Sequence, residues 1–261
     1  MAGDLKVSTE SSNTSSASYR NVAAQNPVRS RFFQIMSGVL FLVLVAGFAP
    51  TLYLRAFFDV PPIPIYLYVH GAVITCWFLW LITQTSLVAI GRTDVHRRIG
   101  FGGAVLALAV VFAGPMATMG MVPRLPAMGL DLETNIYFIT WVIWGNFISV
   151  SAFAVLVLAG ILLRRQSDVH KRLMLLASLS IISPALARIA FWPVFEWIEE
   201  IPFVVSGSLV LLATLGIHDL IVNKRLHKAT IVGGVIVVVT IFAPLVIANA
   251  DFAQTFVRGL G

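Results

Sequence analysis

Five histidines, and one arginine placed well inside an apolar stretch, are the side chains here with the most chemistry to offer. His70 is followed by Trp77 and Gln84 at i+7 and i+14, which puts all three on one helix face. Arg188 is followed by Trp192 at i+4 and Glu196 at i+8. A guanidinium at membrane depth is costly, and it normally faces a bundle interior or a wet cavity. Two arrangements satisfy it. In one, Arg188 snorkels outward to Glu196, Glu199 or Glu200 and only anchors its helix. In the other, Trp192 stacks on it. His70 and Arg188 then hold an anionic or carbonyl group in a pocket, with Trp77 and Asn146 beside them.

A second set of histidines sits in a repeated joint. Thr93-Asp94-Val95-His96-Arg97-Arg98-Ile99 returns 74 residues later as Ser167-Asp168-Val169-His170-Lys171-Arg172-Leu173. A partial version, Leu226-His227-Lys228, lacks the aspartate. Asp94 and Asp168 stand just before apolar runs, where an aspartate caps the free N–H groups of the next helix and suits its dipole. The basic pair that follows holds the joint at the membrane surface. Neither role requires a histidine. His96, His170, His227 and His218 share one depth, and imidazole nitrogen is a metal ligand. Their spacing matches no compact zinc motif, so the metal stays open. His70 has no histidine partner in its own half of the membrane. Haem therefore stays open only through a single histidine or an inner pair such as His96 with His170.

The elements that must position these groups are membrane helices. The chain is 58% hydrophobic and 11% charged, against about 25% charged for a soluble domain. Apolar runs of about 20 residues match the roughly 30 Å of bilayer hydrocarbon. They predict an all-α, seven-helix bundle with spans near 32–55, 63–90, 99–122, 136–163, 171–197, 203–222 and 230–250, one helix followed by three hairpins. Pro50, Pro115, Pro184 and Pro244 predict kinks. Residues 1–30 are polar, rich in Ser, Thr and Asn, and read as a disordered tail. Residues 31–250 form the membrane domain, and 251–261 read as a short tail beyond it. The first apolar run begins too late for a signal peptide and reads as a retained helix. The single cysteine, Cys76, excludes an internal disulfide or a cysteine zinc site.

Charge gives the orientation. Fourteen of the 18 basic residues fall in the N-terminal tail and in the joints after the second, fourth and sixth spans. Asp59, Asp131, Glu133, Glu196, Glu199, Glu200 and Asp251 fall on the other side. The positive-inside rule makes the basic side, and the N-terminus, cytoplasmic. The net charge of +6 is then explained by topology and by attraction to anionic lipid headgroups, without nucleic acid.

His96 to Gly100 (His-Arg-Arg-Ile-Gly) and His170 to Met174 (His-Lys-Arg-Leu-Met) each open a helix. They resemble a pattern in several uncharacterised bacterial multipass families. Such steps are also similar to parts of small membrane proteins that assist respiratory oxidase assembly and of b-type cytochromes. The resemblance covers about a dozen residues and implies a bacterial inner-membrane origin. Sequence alone shows no nucleophile–base pair, glycine-rich phosphate loop or paired catalytic carboxylates, so no catalytic residue is named. Three functions remain: a membrane protein binding a small hydrophobic or anionic ligand, in transport or respiratory-complex assembly; a haem- or quinone-linked redox protein; and a structural partner of other membrane proteins.

Overall fold

The computed structural model describes residues 27–195 and 197–261, with side chains from residue 31. The expected N-terminal tail falls outside this range as far as residue 26, as does Glu196. The described elements are all helical. They are α1 (Pro27–Phe48), continued by a π turn (Ala49–Tyr53), α2 (Ile65–Ala89), α3 (Thr93–Met119), α4 (Ile136–Leu162), α5 (Ser167–Ser180), α6 (Ser183–Ala190), α7 (Glu200–Asn223), α8 (Lys228–Ile247) and α9 (Asp251–Arg258). Six helices are long and apolar enough to cross a membrane, and α5 with α6 makes a seventh span bent by 41°. The chain is an all-α polytopic membrane bundle.

Only 17% to 39% of each long span's most apolar stretch is buried inside the bundle. The remainder, with Leu42, Phe101, Phe112, Leu158, Val210 and Val246 exposed, needs hydrocarbon as its solvent. With apolar solvent outside, packing rests on close approach, and small residues supply it. A Cβ at Gly47 would fall on the backbone carbonyl of Ala185, so α1 and α6 meet backbone to backbone there.

The four prolines act differently. Pro115 and Pro244 sit inside continuous helices. Pro50 instead starts the π turn that ends α1, and Pro184 opens α6 after the break at Ile181 and Ile182. Each lacks the N–H that a continuing helix needs. The expected fifth span, 171–197, is therefore two helices that end at Ala190.

Polar contacts sort into two layers and fix the crossings. Arg172, at the start of α5, meets Asp219 near the end of α7. Arg188, near the end of α6, meets Phe48 at the end of α1. The bent pair therefore runs from the basic end of the bundle to the opposite end. The expected tail after residue 250 contains a helix, α9, folded back against α4. Ala253 and Val257 are buried, the Trp144 indole donates to the Ala253 carbonyl at 3.4 Å, and Arg258 binds both oxygens of Glu133 at 2.8 and 2.9 Å. Glu133 lies between α3 and α4, so α9 sits at the end opposite the basic joints.

Candidate functional site

Toward the end opposite the basic joints, the π turn and the α5–α6 break disturb two neighbouring helices. π turns of this kind are often found at functional positions. Between the π turn and α2 lies a crevice lined by Leu44, Phe48, Leu52, Tyr53, His70, Gly71 and Ile74. It holds about 20 Å³ of space, enough for one water. The Tyr53 hydroxyl bonds Thr75 across it at 2.7 Å. His70 turns its Nδ1 to the Ala113 carbonyl on α3 at 3.1 Å.

Arg188 lies one side chain away from His70. Its guanidinium stacks over Phe48 at 4.2 Å, and Phe48 lines the crevice with His70. Crowded by protein atoms, it nevertheless keeps an open face. One nitrogen donates to the Pro184 carbonyl at 2.9 Å. Among the described residues no carboxylate lies within 4.0 Å of it, although Glu200 attracts it across a longer gap. The ring under Arg188 is that of Phe48, on a neighbouring helix, and not the expected Trp192, which lies in the turn after α6. The expected partner Glu196 lies outside the described residues.

Two other residues expected in the pocket are elsewhere. Trp77 is 1% exposed, donates to the Ser178 hydroxyl at 3.1 Å and meets Phe153 edge-on at 4.8 Å. It is a core side chain joining α2, α4 and α5. Asn146 is half-buried on α4, one residue after Gly145, which faces Pro244 of α8. Neither lines the crevice. A larger open recess of about 680 Å³ runs past Val122, Leu125, Pro126 and Asp131 to Gly261, and no predicted site residue borders it.

The basic end holds the most extensive polar network. Asp219 is fully buried and Arg172 is 2% exposed. Arg172 gives Nε to both Asp219 oxygens, at 3.1 and 3.3 Å, and adds Nη2 to one of them. Its Nη1 goes to the Asp168 carbonyl at 2.7 Å. Asp219 also accepts from the Thr230 hydroxyl, the His227 backbone N–H at 3.1 Å and the Asn223 amide at 3.2 Å. This network ties α5, α7 and α8 together. Arg172, expected to anchor the joint at the surface, is thus the buried half of an ion pair. Asp219 is an acid inside an apolar run, and that costly placement is the signal by which it can be found in sequence.

The aspartate caps take another form. The residues before α3 and α5 are Arg92 and Gln166, and neither makes a side-chain cap. Asp94 and Asp168 lie one residue inside the first turn. Asp94 pairs with Arg92 at 3.4 Å and Asp168 with Lys171 at 2.5 Å. The helix dipole favours both charges, and each carboxylate also carries an ion pair. A true cap appears at α8, where His227 Nδ1 accepts from the Ala229 N–H at 3.1 Å. Burial and the Arg172 charge hold the His227 pKa below its usual value.

The joint brings two of the histidines together. His96 and His170 meet edge to face with ring centres 6.2 Å apart. His218 instead stacks on Phe32 at 3.9 Å. Among the described residues no three of His, Cys, Asp and Glu converge as a metal cluster would require. Compared with family models, curated proteins and solved structures, the chain matches none.

Proposed function

We propose that this chain is a multipass protein of a bacterial inner membrane, with its basic end cytoplasmic. There it binds a small amphipathic ligand through a carboxylate or carbonyl group in the outer half of the bilayer. The observation that carries the reading is Arg188: a guanidinium at membrane depth, stacked on Phe48, with one nitrogen bonded to a backbone carbonyl and no described carboxylate within 4.0 Å. Intramembrane cations without a sealing partner are functional sites by default. His70 supplies the second polar group. The crevice is too small for more than a water, so the ligand's polar head docks at the open face of Arg188 and its chain runs along the outside of the bundle in lipid. Such a site suits a carrier, or a factor in respiratory-complex assembly that docks on other membrane proteins. The 14 basic residues on one side support the orientation and contact with anionic headgroups.

The test uses a fluorescent long-chain fatty acid and the purified protein in nanodiscs. A charge-assisted hydrogen bond contributes about 1.5–3 kcal/mol, so Arg188→Gln should weaken binding by about tenfold or more. Arg188→Lys keeps the charge but loses the planar fork, and should fall between. If Arg188→Gln binds as the parent does, Arg188 is only an anchor and the reading fails.

A further inference from the structure

Among the described residues one carboxylate attracts Arg188, and its position gives it a part in binding. Glu200 opens α7 and continues the packed stripe of that helix. Val204 and Ser208 are each 3% exposed, and a Cβ at Gly207 would come within 3.3 Å of the Leu186 side chain on α6. Positions 200, 204, 207 and 208 share one helix face, so Glu200 stands on the side of α7 that meets α6. Counted at 1.5 Å per residue from the Leu186–Gly207 contact, Arg188 lies about 3 Å and Glu200 about 10 Å toward the outer surface. Glu200 is therefore half-buried on the aqueous side of the guanidinium. The two charges attract, but no ion pair closes between them within 4.0 Å.

The neighbouring elements add little charge at this level. Arg188 is the one charged residue of α6. On α5 and α8 the charges lie at the basic end, from Asp168 to Arg172 and at Lys228. Beyond Phe48 stand His70 and the Tyr53 hydroxyl, which is bonded to Thr75. Arg55 is occupied by the carbonyls of Thr51, Val60 and Pro61. Glu199, beside Glu200, is exposed.

An anionic ligand changes this balance. One guanidinium then faces two anions, the ligand head and Glu200. Like charges that share a poorly hydrated site resist being ionised together, and one of them takes up a proton. The ligand keeps its charge through charge-assisted hydrogen bonds to the guanidinium. Glu200, held at the longer gap, loses its counter-charge. The α7 dipole favours charge on Glu200 only weakly, and an uncompensated carboxylate drawn partly out of water costs more. We propose, on the reading of Arg188 as the ligand-binding cation, that Glu200 is its internal counter-ion and that the outer site takes up one proton at Glu200 with each anion it binds. The proton comes from the outer aqueous phase and forms an O–H bond on the Glu200 carboxylate. One negative and one positive charge enter together, so the net charge of the site is unchanged. This is the loading step of a proton-coupled carrier, favoured on the more acidic face.

The test uses the full chain in nanodiscs and a fluorescent long-chain alkanesulfonate. Its head stays charged from about pH 5 to pH 9, so any proton taken up belongs to the protein. Binding in weak buffer with a pH indicator should consume up to one proton per ligand. Kd should rise by up to tenfold per pH unit over the range in which Glu200 titrates. Glu200→Gln removes the competing charge. It should bind at high pH as tightly as the parent does at low pH, with no slope and no proton uptake. Glu199→Gln should keep the parent's slope. His70→Gln weakens binding by removing the second polar group but should keep the slope as well. A slope that survives in Glu200→Gln, or that vanishes in His70→Gln, overturns the proposal and makes another group the proton acceptor. Sulfonate binding that is lost in Arg188→Gln yet takes up no proton in the parent overturns it and leaves the ligand reading intact. Absence of sulfonate binding at any pH overturns it as well, and a fatty acid bound by Arg188→Gln as by the parent removes the ligand reading too. The proton count on the parent chain decides even where a variant does not fold.

Discussion

Asp219 and Arg172 form an ion pair with almost no contact with solvent, and its removal allows a quantitative test. Asp219→Asn keeps the shape of the side chain. Its one oxygen can keep the Thr230 hydroxyl and the His227 N–H, which share Oδ2, while the position facing Arg172 and Asn223 becomes an amide NH2 that accepts nothing. The Arg172 guanidinium then keeps the Asp168 carbonyl as its buried acceptor and the exposed Asp168 carboxylate at 3.7 Å, and loses its buried counter-charge. Leaving one charge of a buried pair unpaired costs about 3–5 kcal/mol. Arg172→Met should cost a similar amount, because Asp219 is 0% exposed and becomes the uncompensated charge. An apolar pair of similar volume should recover most of the loss. Arg172→Met/Asp219→Leu is thus expected to be more stable than either single variant, with a coupling of about 3 kcal/mol, the upper end for residues in contact. Reversible unfolding of the purified protein in mixed micelles measures all four corners of the cycle. Single losses of about 1 kcal/mol or less that simply add would mean that the pair behaves as an exposed salt bridge. The three-helix lock would then be refuted.

Three further outcomes follow from the same contacts. Reporter fusions after Arg165 and Lys228 should read cytoplasmic, and fusions near Glu133 and Glu200 periplasmic; a split between the two basic joints would refute the seven-span orientation. His227 is held below its usual pKa and caps α8 with a neutral nitrogen. Its contribution is therefore fully present above the unfolded value of about 6.5 and lost as pH falls through the lower folded one, and His227→Asn, which caps at any pH, should flatten that part of the stability–pH curve. Arg258 holds the Glu133 carboxyl below its usual range, so Glu133→Gln or acidification through that range should loosen α9, read as faster hydrogen exchange over residues 251–258 while the spans are unchanged.

The spans were legible because lipid imposes a length and a composition on every crossing, so boundaries fell within a few residues for α2, α4 and α8. What the apolar pattern could not show was where a crossing breaks. Pro115 and Pro184 look alike in sequence, but only Pro184 falls where two short helices each find packing, α5 against α4 and α8, α6 against α1 and α7. Helix α9 is not legible in sequence because eight residues with two buried positions carry no span-like signal. The site residues divide in the same way. His70 and Arg188 stood out by cost alone, and they lie on either side of Phe48. Trp77 and Asn146 share their face or depth, but face and depth do not specify a neighbouring helix. Asp219 carries the same cost signal, but its buried partner Arg172 lies in a basic joint that in sequence looks like surface charge.

The two ends of the bundle differ in how they satisfy buried polarity, and that difference locates where a ligand can bind. At the basic end α5, α7 and α8 are locked through one carboxylate with five described donor contacts to its oxygens from Arg172, Thr230, His227 and Asn223, besides the short Arg172 Nη2 contact. Such a saturated cluster leaves no bonding capacity for a guest and makes the joint rigid. At the other end, the π turn and the 41° bend leave α1 and α6 joined by close backbone packing and one stacked guanidinium. The 41° break at Ile181–Ile182 separates α6 from the Asp219 network, so a displacement of α6 there would leave that network in place. A mobile ligand exchanging with the bilayer belongs where the helices yield. If exchange-sensitive amides near Arg188 are protected as strongly as those around Asp219, this division of labour is wrong.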